Sequence, residues 1–330
     1  MKLTNSRKKI ALIYGGRGCE HSVSVKGAEY VKDVISKEKY YTYRVFIDKT
    51  GAWWLDGAEV FPARYGSLSG LSDGERIFPI DCAIPLLHGN FGEDGRIQGA
   101  LDTAGIPYVC ADTVTGAICI DKAATRAIAR EIGIPTARGA LLSHGSNASA
   151  ALEIARSIGF PVFIKPRRLG SSIGAAAARN ESELCAVFPS AAIHGDLLIE
   201  ELIEPKRELE VGILSLKRHR IVSPIGEVLC DGFYDFDKKY GRGTKTACPA
   251  DINDTVAEKI REYAIRLSDA IPLYGTARID FFLSGERIIF NEINTLPGFT
   301  IDSLYPTLMR AAGVETSRLF DLLIEDAIGK

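Results

Sequence analysis

Several familiar signals are missing from this chain of 330 residues, and each absence removes a class of explanation. No run of about 18 apolar residues exists, so no membrane-spanning helix is expected. The opening stretch MKLTNSRKKIALIYGG is basic but lacks the apolar core and cleavage site of a signal peptide. It reads as a lead-in to a first strand. The charge is nearly balanced, with 40 Lys and Arg against 42 Asp and Glu, which leaves no basic field to attract nucleic acid. Cysteines at positions 19, 82, 110, 119, 185, 230 and 248 show no CxxC spacing. Scattered and odd in number, they read as free thiols in a reducing cytoplasm, not as a disulfide framework or a zinc site. There is no internal repeat and no low-complexity tract. What remains is ordinary globular composition, 46% hydrophobic and 25% charged, with length for two or three domains.

Two nucleotide fingerprints are also absent. Lys9 to Tyr14 is an apolar strand running into Gly15-Gly16-Arg17-Gly18, followed by a helical stretch from about Val25 to Ser36 and a second strand, Tyr43 to Ile47, ending in Asp48. That order invites a dinucleotide-binding reading, but His21 stands where the third glycine belongs. The alternative is that Glu20 and nearby amides bind a small substrate at the sheet's C-terminal edge. Further on, Phe160 to Pro166 is a strand carrying Lys165, and Arg167-Arg168-Leu169-Gly170-Ser171-Ser172-Ile173-Gly174 follows. This is not a P-loop, because the lysine precedes the glycines, yet its amides and hydroxyls suit phosphate. A plain hairpin turn is the bland alternative.

The most informative stretch is Arg278 to Ser303. Two β-rich runs, Ile279 to Leu283 and Ile288 to Phe290, flank Gly285 and predict a hairpin. If Gly285-Glu286-Arg287 is a three-residue loop, Ser284 lies opposite Ile288 and Asp280 opposite Glu292. With a period of two, Arg278 shares the face of Asp280, and Asn294 that of Glu292. Two carboxylates facing each other repel unless a cation lies between them. Hard oxygen donors suit Mg²⁺ shared with phosphates. A solvated hairpin edge is the competing reading, and the apolar flanks disfavour it.

The remaining segments are read as follows. Residues 50 to 78 look irregular, with a hairpin tip near Gly51-Ala52-Trp53-Trp54. Asp81 to Leu87 is a buried strand leading to His88-Gly89-Asn90-Phe91-Gly92-Glu93-Asp94-Gly95, with a helix from Arg96. Ile106 to Val109 is a further short strand. This alternation of strand and helix predicts a parallel sheet. Lys122 opens a helix through Ile132, where an anion is favoured, though a solvent-facing lysine is equally consistent. A helix from Ala148 to Ile158, strands Leu197 to Glu201 and Glu208 to Leu214, and a helix from Asp254 to Ile271 follow. The loop Asp231 to Lys245, charged and glycine-containing, suggests a mobile lid. Ser303 to Ile328 reads as two helices.

Taken together, these pieces resemble the ATP-grasp superfamily, and within it the D-alanine–D-alanine ligases. The carriers are GGRGCEHSVS (15–24), LHGNFGEDGRIQG (87–99), DK (121–122), KPRRLGSSIG (165–174), ELEVGIL (208–214), YDFDKKY (234–240), RID (278–280) and NEINTLPGFTIDS (291–303). The resemblance spans nearly the whole chain. It implies an α/β fold, α+β in parts, with three domains: an N-terminal parallel α/β substrate-binding domain at 1–118, a central subdomain at 119–208, and a C-terminal catalytic domain at 209–330 with a lid at 231–245. It implies that Asp280, Glu292 and Asn294 bind two Mg²⁺ ions on ATP, with Mn²⁺ able to substitute. Lys122, Lys165, Ser172, Glu200, Glu201, Ile203, Glu208 and Lys239 match nucleotide-binding positions, with Glu200 near adenine, Glu208 near ribose and Glu201 and Ile203 contributing backbone. Glu20, Ser171 and Tyr240 match a hydrogen-bonded trio that orients substrates. His88 lies near the first substrate, Ser303 matches the contact to the second substrate's carboxylate, and Arg278 with the Gly298 amide would stabilise an oxyanion.

The implied chemistry is ATP-dependent formation of D-alanyl-D-alanine for peptidoglycan, by a cytoplasmic enzyme that is a homodimer in this family. The segment Ala111 to Lys122 is also similar to vancomycin-resistance ligases, which use D-lactate or D-serine as second substrate. Lys239-Tyr240 argues against D-lactate and leaves D-serine open. Gly18, Cys19 and Arg167-Arg168 depart from the common pattern. A non-catalytic nucleotide-binding protein and an ATP-grasp ligase for another carboxylate are the rival classes.

Overall fold

The computed structural model describes residues 7–204, 206–229, 245–301 and 303–329. The expected lid, with Lys239 and Tyr240, lies outside these residues but for Lys245. Three β-sheets organise what is described.

The first sheet is built around β1 (Lys8–Gly15), an apolar strand flanked in parallel by β2 (Tyr40–Ile47) and β7 (Cys82–Pro85). Helix α1 (His21–Val34) connects β1 to β2 and buries Ala28 and Val31 against the sheet. The parallel expectation holds only for these three strands. Residues read as irregular form an antiparallel extension instead: β3 (Trp53–Leu55), β4 (Ala58–Tyr65), β5 (Leu68–Ser72) and β6 (Ile77–Pro79). β3 and β6 have only three residues each and β4 is largely exposed, so they carry little of the apolar alternation that marks a strand in sequence. The tip lies just before the tryptophans, at 48–52. There Asp48 accepts from the amides of Thr50, Gly51 and Ala52 and from Trp54 Nε1, at 2.7 to 3.2 Å. The acid that closed the dinucleotide-like order is committed to a turn. Ile106 to Val109 contributes one bridge, Tyr108 to Ala83, instead of a strand.

After α2 (Arg96–Ala104) come α3 (Thr113–Ile120) and α4 (Lys122–Glu131). The second sheet, in order β10-β9-β11-β8, comprises β8 (Gly139–Leu142), β9 (Val162–Pro166), β10 (Ala176–Ala178) and β11 (Leu197–Glu201), all antiparallel. Helices α5 (Ala148–Ile158) and α6 (Glu181–Ala192) pack against each other and the sheet, around Val162, Ile164 and Ile199.

The third sheet is antiparallel in order β14-β13-β12-β15-β16. It comprises β12 (Arg207–Ser215), β13 (Arg220–Leu229), β14 (Lys245–Ala247), β15 (Gly275–Ser284) and β16 (Arg287–Asn294). Helix α7 (Asp254–Ala270) covers its apolar face through Ile260, Ala264 and Leu267, and the stretch ends in α8 (Leu304–Ala311) and α9 (Thr316–Ile328). These last helices return to the first sheet: Phe320, Leu323 and Ile324 share a core with Ile10, Leu12 and Ile84. The expected domain limits at 118/119 and 208/209 fall inside α3 and β12.

Candidate active site

The β15–β16 hairpin sets the register of the site, though by a different route from the one expected. Its turn has two residues, Gly285 and Glu286, because Ser284 pairs with Arg287. Gly285 adopts φ +58°, which suits the first position of such a turn. Phe281 faces Phe290, and then a β-bulge inserts Asn291, so that Asp280 still faces Glu292 and Arg278 faces Asn294. A regular strand would send residues 291 and 292 to opposite faces; the bulge turns both toward the cleft.

The acids on this face are balanced by bases. Arg278, with about a tenth of its side chain exposed, donates to both carboxylate oxygens of Asp280 at 2.8 and 2.7 Å, and pairs with Glu210 at 3.0 Å. Burial opposes its charge, but Asp280 and Glu210 prevail and hold its pKa well above the usual value. Asn294 Nδ2 donates to Asp280 Oδ2 at 3.0 Å. Glu292 lies 3.2 Å from the Lys122 ammonium, which also donates to the carbonyl of Leu169 at 2.7 Å. Lys122 is therefore turned inward and nearly buried, not solvent-facing.

Helix α4 is held to the glycine-rich loop through its N-cap. Asp121 accepts from the amides of Ala123 and Ala124, and from Arg167 Nε and Arg168 Nε at 2.7 and 2.9 Å. Burial works against this carboxylate, yet the arginines and capping amides hold its pKa below the usual range. The two arginines that made the loop unusually basic are thus directed at Asp121. The loop then places Ser171 and Ser172 at φ +53° and +58°, a left-handed pair costing on the order of 1 kcal/mol per residue or more. That geometry brings Ser171 Oγ to 2.5 Å from Glu20 Oε1. Glu20 is buried at the start of α1, and Gly89 approaches it so closely that a Cβ there would lie 2.7 Å from Oε2. His88, next to it and buried, has Nδ1 3.0 Å from the carbonyl of Leu296.

Between the second and third sheets lies a cleft of about 510 Å³. It brings together Lys122, Lys165, Ser171, Ser172, Glu208, Arg278, Asp280 and Glu292, with the Glu200–Ile203 segment along one wall. Phe163 and Phe282 give it apolar surface, and the Lys206 ammonium stands 4.0 Å over the Phe282 ring while pairing with Glu208 at 2.9 Å. Lys165 is buried and pairs with Glu200 at 2.8 Å; burial, with Arg126 and Lys122 nearby, pushes its pKa well down. The Glu201 carboxylate points elsewhere, to Arg138 and Arg287 at 3.1 and 3.0 Å, which hold it ionised despite burial. Its contribution to the cleft is therefore backbone. Gly298 and Ser303 sit together at the start of α8, where Ser303 Oγ accepts from the Thr300 amide at 2.9 Å. They and Asn294 do not line the cleft itself.

Spacing did not single out Arg126, Asn291, Lys206 or Glu210. Arg126 stands one turn beyond Lys122 on α4, and that interval was its only signal. Asn291 becomes visible only once the bulge is known.

The donor set fits Mg²⁺ in the presence of phosphate. Asp280, Glu292 and Asn294 are hard oxygen-bearing side chains beside cationic groups, with no sulfur among them. Among the described residues no three His, Cys, Asp or Glu converge, so phosphate or water oxygens would have to complete a coordination shell.

Comparison with known proteins shows the family. Residues 9–111 match the family model described as D-ala D-ala ligase N-terminus, and residues 128–325 match D-ala D-ala ligase C-terminus. A D-alanine--D-alanine ligase of Mycolicibacterium vanbaalenii is 36% identical over 98% of both chains. One of Thermoanaerobacter sp. is 37% identical over 98% of this chain and 97% of its own. Among solved structures, the VanG D-Ala:D-Ser ligase of Enterococcus faecalis superposes with TM-score 0.87 at 32% identity, covering 97% and 99% of the two chains. The D-alanyl-alanine synthetase A of Vibrio cholerae gives TM-score 0.88 at 28% identity, over 98% and 99%. Matched along nearly its full length, in both parts and in fold, this chain belongs to the D-alanine–D-alanine ligase family.

Proposed function

We propose that the protein joins two D-alanines into D-alanyl-D-alanine, using ATP, to supply a peptidoglycan precursor. The observation that carries this reading is the contact of Glu20 with Ser171. It sets a buried carboxylate, which would bind an amino acid's ammonium, beside a glycine-rich loop that lines the cleft and would cover phosphates. Adenine would lie between the apolar wall and the Glu200–Ile203 backbone, with Glu208 toward the ribose. Lys122 and Lys165 would neutralise phosphate oxygens, and Ser172 would offer its hydroxyl and amide to them. Asp280, Glu292 and Asn294 would hold Mg²⁺, which neutralises phosphate charge during transfer.

The Glu20 carboxylate would fix the first D-alanine's ammonium, with His88 beside it, so that its carboxylate can attack the γ-phosphate, break its bond to the β-phosphate oxygen and release ADP, giving an acyl phosphate. Amine attack by the second amino acid, its carboxylate held at Ser303, then gives a tetrahedral species. Arg278 and the Gly298 amide would stabilise its oxyanion before phosphate departs. Lys239 and Tyr240, which the resemblance assigns to the transferring phosphoryl group and to the trio with Glu20 and Ser171, lie outside the described residues. The three sheets would then serve three units: first-substrate binding, a nucleotide cover, and the catalytic floor. We place the enzyme in the cytoplasm, as a homodimer; no helix among the described residues is long and apolar enough to cross a membrane.

A second reading, D-alanine–D-serine ligation, is raised by the likeness to the VanG structure at 32% identity, against 36% and 37% to the two D-alanine--D-alanine ligases. Incubation with Mg-ATP, D-alanine and competing D-serine, followed by mass analysis, separates them. Accumulation of D-alanyl-D-alanine alone supports the first reading. A dominant mixed dipeptide supports the second, and no amino-acid-dependent phosphate release overturns both.

A further inference from the structure

Arg126 does not line the cleft, yet its guanidinium is bound to what does. It pairs with Glu200 through NH1, while NH2 lies 3.3 Å from Glu200 Oε1 and 3.5 Å from Asn291 Oδ1. Lys165 Nζ reaches the same two acceptors, Glu200 Oε1 at 2.8 Å and Asn291 Oδ1 at 3.2 Å. Lys165 and Arg126 therefore share two acceptors in a closed ring. Its members come from α4, β9, β11 and the bulge of β16.

A structural ion pair alone explains this ring poorly. Arg126 is 97% buried by side chain, and its Nε has no hydrogen-bond partner among the described residues. A buried pair of this kind is often no better for stability than apolar packing, and an unsatisfied buried donor is a net cost. The ring does something that packing would not. Left with Glu200 alone, the Lys165 ammonium could swing with that side chain; the second cation and the bulge amide restrict both.

We propose that Arg126 is a positioning residue, which fixes the Lys165 ammonium through Glu200 and Asn291 and so sets nucleotide affinity without touching the nucleotide. This rests on the reading of the cleft as the ATP site. The bulge then has two tasks: it turns Glu292 into the cleft, where it would hold Mg²⁺, and it presents Asn291 to the lysine that would meet the phosphates.

The test uses the full chain as wild type, Arg126→Met, Arg126→Lys and Asn291→Ala, with calorimetric Mg-ADP binding and steady-state kinetics. Arg126→Met is expected to weaken ADP binding and raise KM for ATP by about tenfold to a hundredfold, the usual effect of losing a group that orients a direct contact. The KM for D-alanine and kcat at saturating ATP should stay within about threefold. Lysine at 126 restores charge without the fork, so it should recover part of the affinity. Asn291→Ala should shift KM for ATP in the same direction. A folded Arg126→Met protein with unchanged ADP affinity overturns the proposal, as does an equal loss of D-alanine affinity. Should Arg126→Met fail to fold, unchanged nucleotide binding in both Arg126→Lys and Asn291→Ala overturns it. If wild type itself binds no ADP, the nucleotide reading fails, and this inference with it.

Discussion

The Ser171 hydroxyl donates to the Glu20 carboxylate at 2.5 Å across 151 residues of sequence, joining the loop after β1 to the glycine-rich loop after β9. A hydrogen bond to a charged group contributes about 1.5–3 kcal/mol. Ser171→Ala should therefore raise KM for D-alanine by roughly tenfold to a hundredfold and leave ADP affinity nearly unchanged. Initial rates at varied D-alanine, alongside ADP titration, read the two effects apart.

Gly89→Ala tests the same contact from the opposite side. The residue has φ +63°, and an added Cβ would lie 2.7 Å from Glu20 Oε2, the movable end of that side chain. Displacement of the carboxylate should cost more in kcat/KM for D-alanine than in melting temperature. Equal losses in both would mean that Gly89 serves the backbone alone.

Asp280 accepts two hydrogen bonds from Arg278 and one from Asn294. Asp280→Asn removes the carboxylate charge that holds the guanidinium and that would face Mg²⁺ in the proposed site, leaving a neutral amide oxygen. A fall in kcat of about 10²–10³, the scale for losing one aligned electrostatic contact, is expected. Titrating Mg²⁺ should show a higher concentration for half-activation in the variant. An unchanged half-activation point would remove Asp280 from the metal set.

Asp121 gives a pH-dependent test. Its folded pKa lies below the ordinary value of 3.8, chiefly because Arg167, Ala124 and Arg168 outweigh the burial that opposes its charge. The stability it contributes is present above the unfolded pKa and is lost as pH falls through the lowered folded one. Wild type should therefore melt above Asp121→Asn at about pH 6, and the gap should narrow as acid approaches pH 3. A gap that stays constant would locate the variant's defect elsewhere than in charge.

Arg278, Asp280, Glu292 and Asn294 were legible because a hairpin has a period of two and its register can be counted from the turn. The count succeeded through two compensating differences, a turn one residue shorter and a bulge one residue longer. Lys122 was legible as a helix start, but its burial was not, since that depends on Leu169 and Glu292 from distant segments. The proximity of Glu20 to Ser171 came from family resemblance and had no basis in spacing. Arg126 and Asn291 escaped for a related reason: each acquires meaning only where α4, β9, β11 and β16 cross. In the fold, apolar strands such as β1 and amphipathic helices such as α5 announced themselves. The thin strands β3 to β6 did not, because they are short or largely exposed and their pairing is local.

The shared core of the first sheet with α8 and α9 has a consequence for synthesis. Ile10, Leu12 and Ile84 pack on Phe320, Leu323 and Ile324, residues translated more than two hundred positions later. At roughly 5–20 residues per second, that apolar face waits on the order of ten to sixty seconds for its cover. During this interval the nascent chain presents a sticky surface, so chaperone engagement should concentrate on the first hundred residues and end when the last helix emerges.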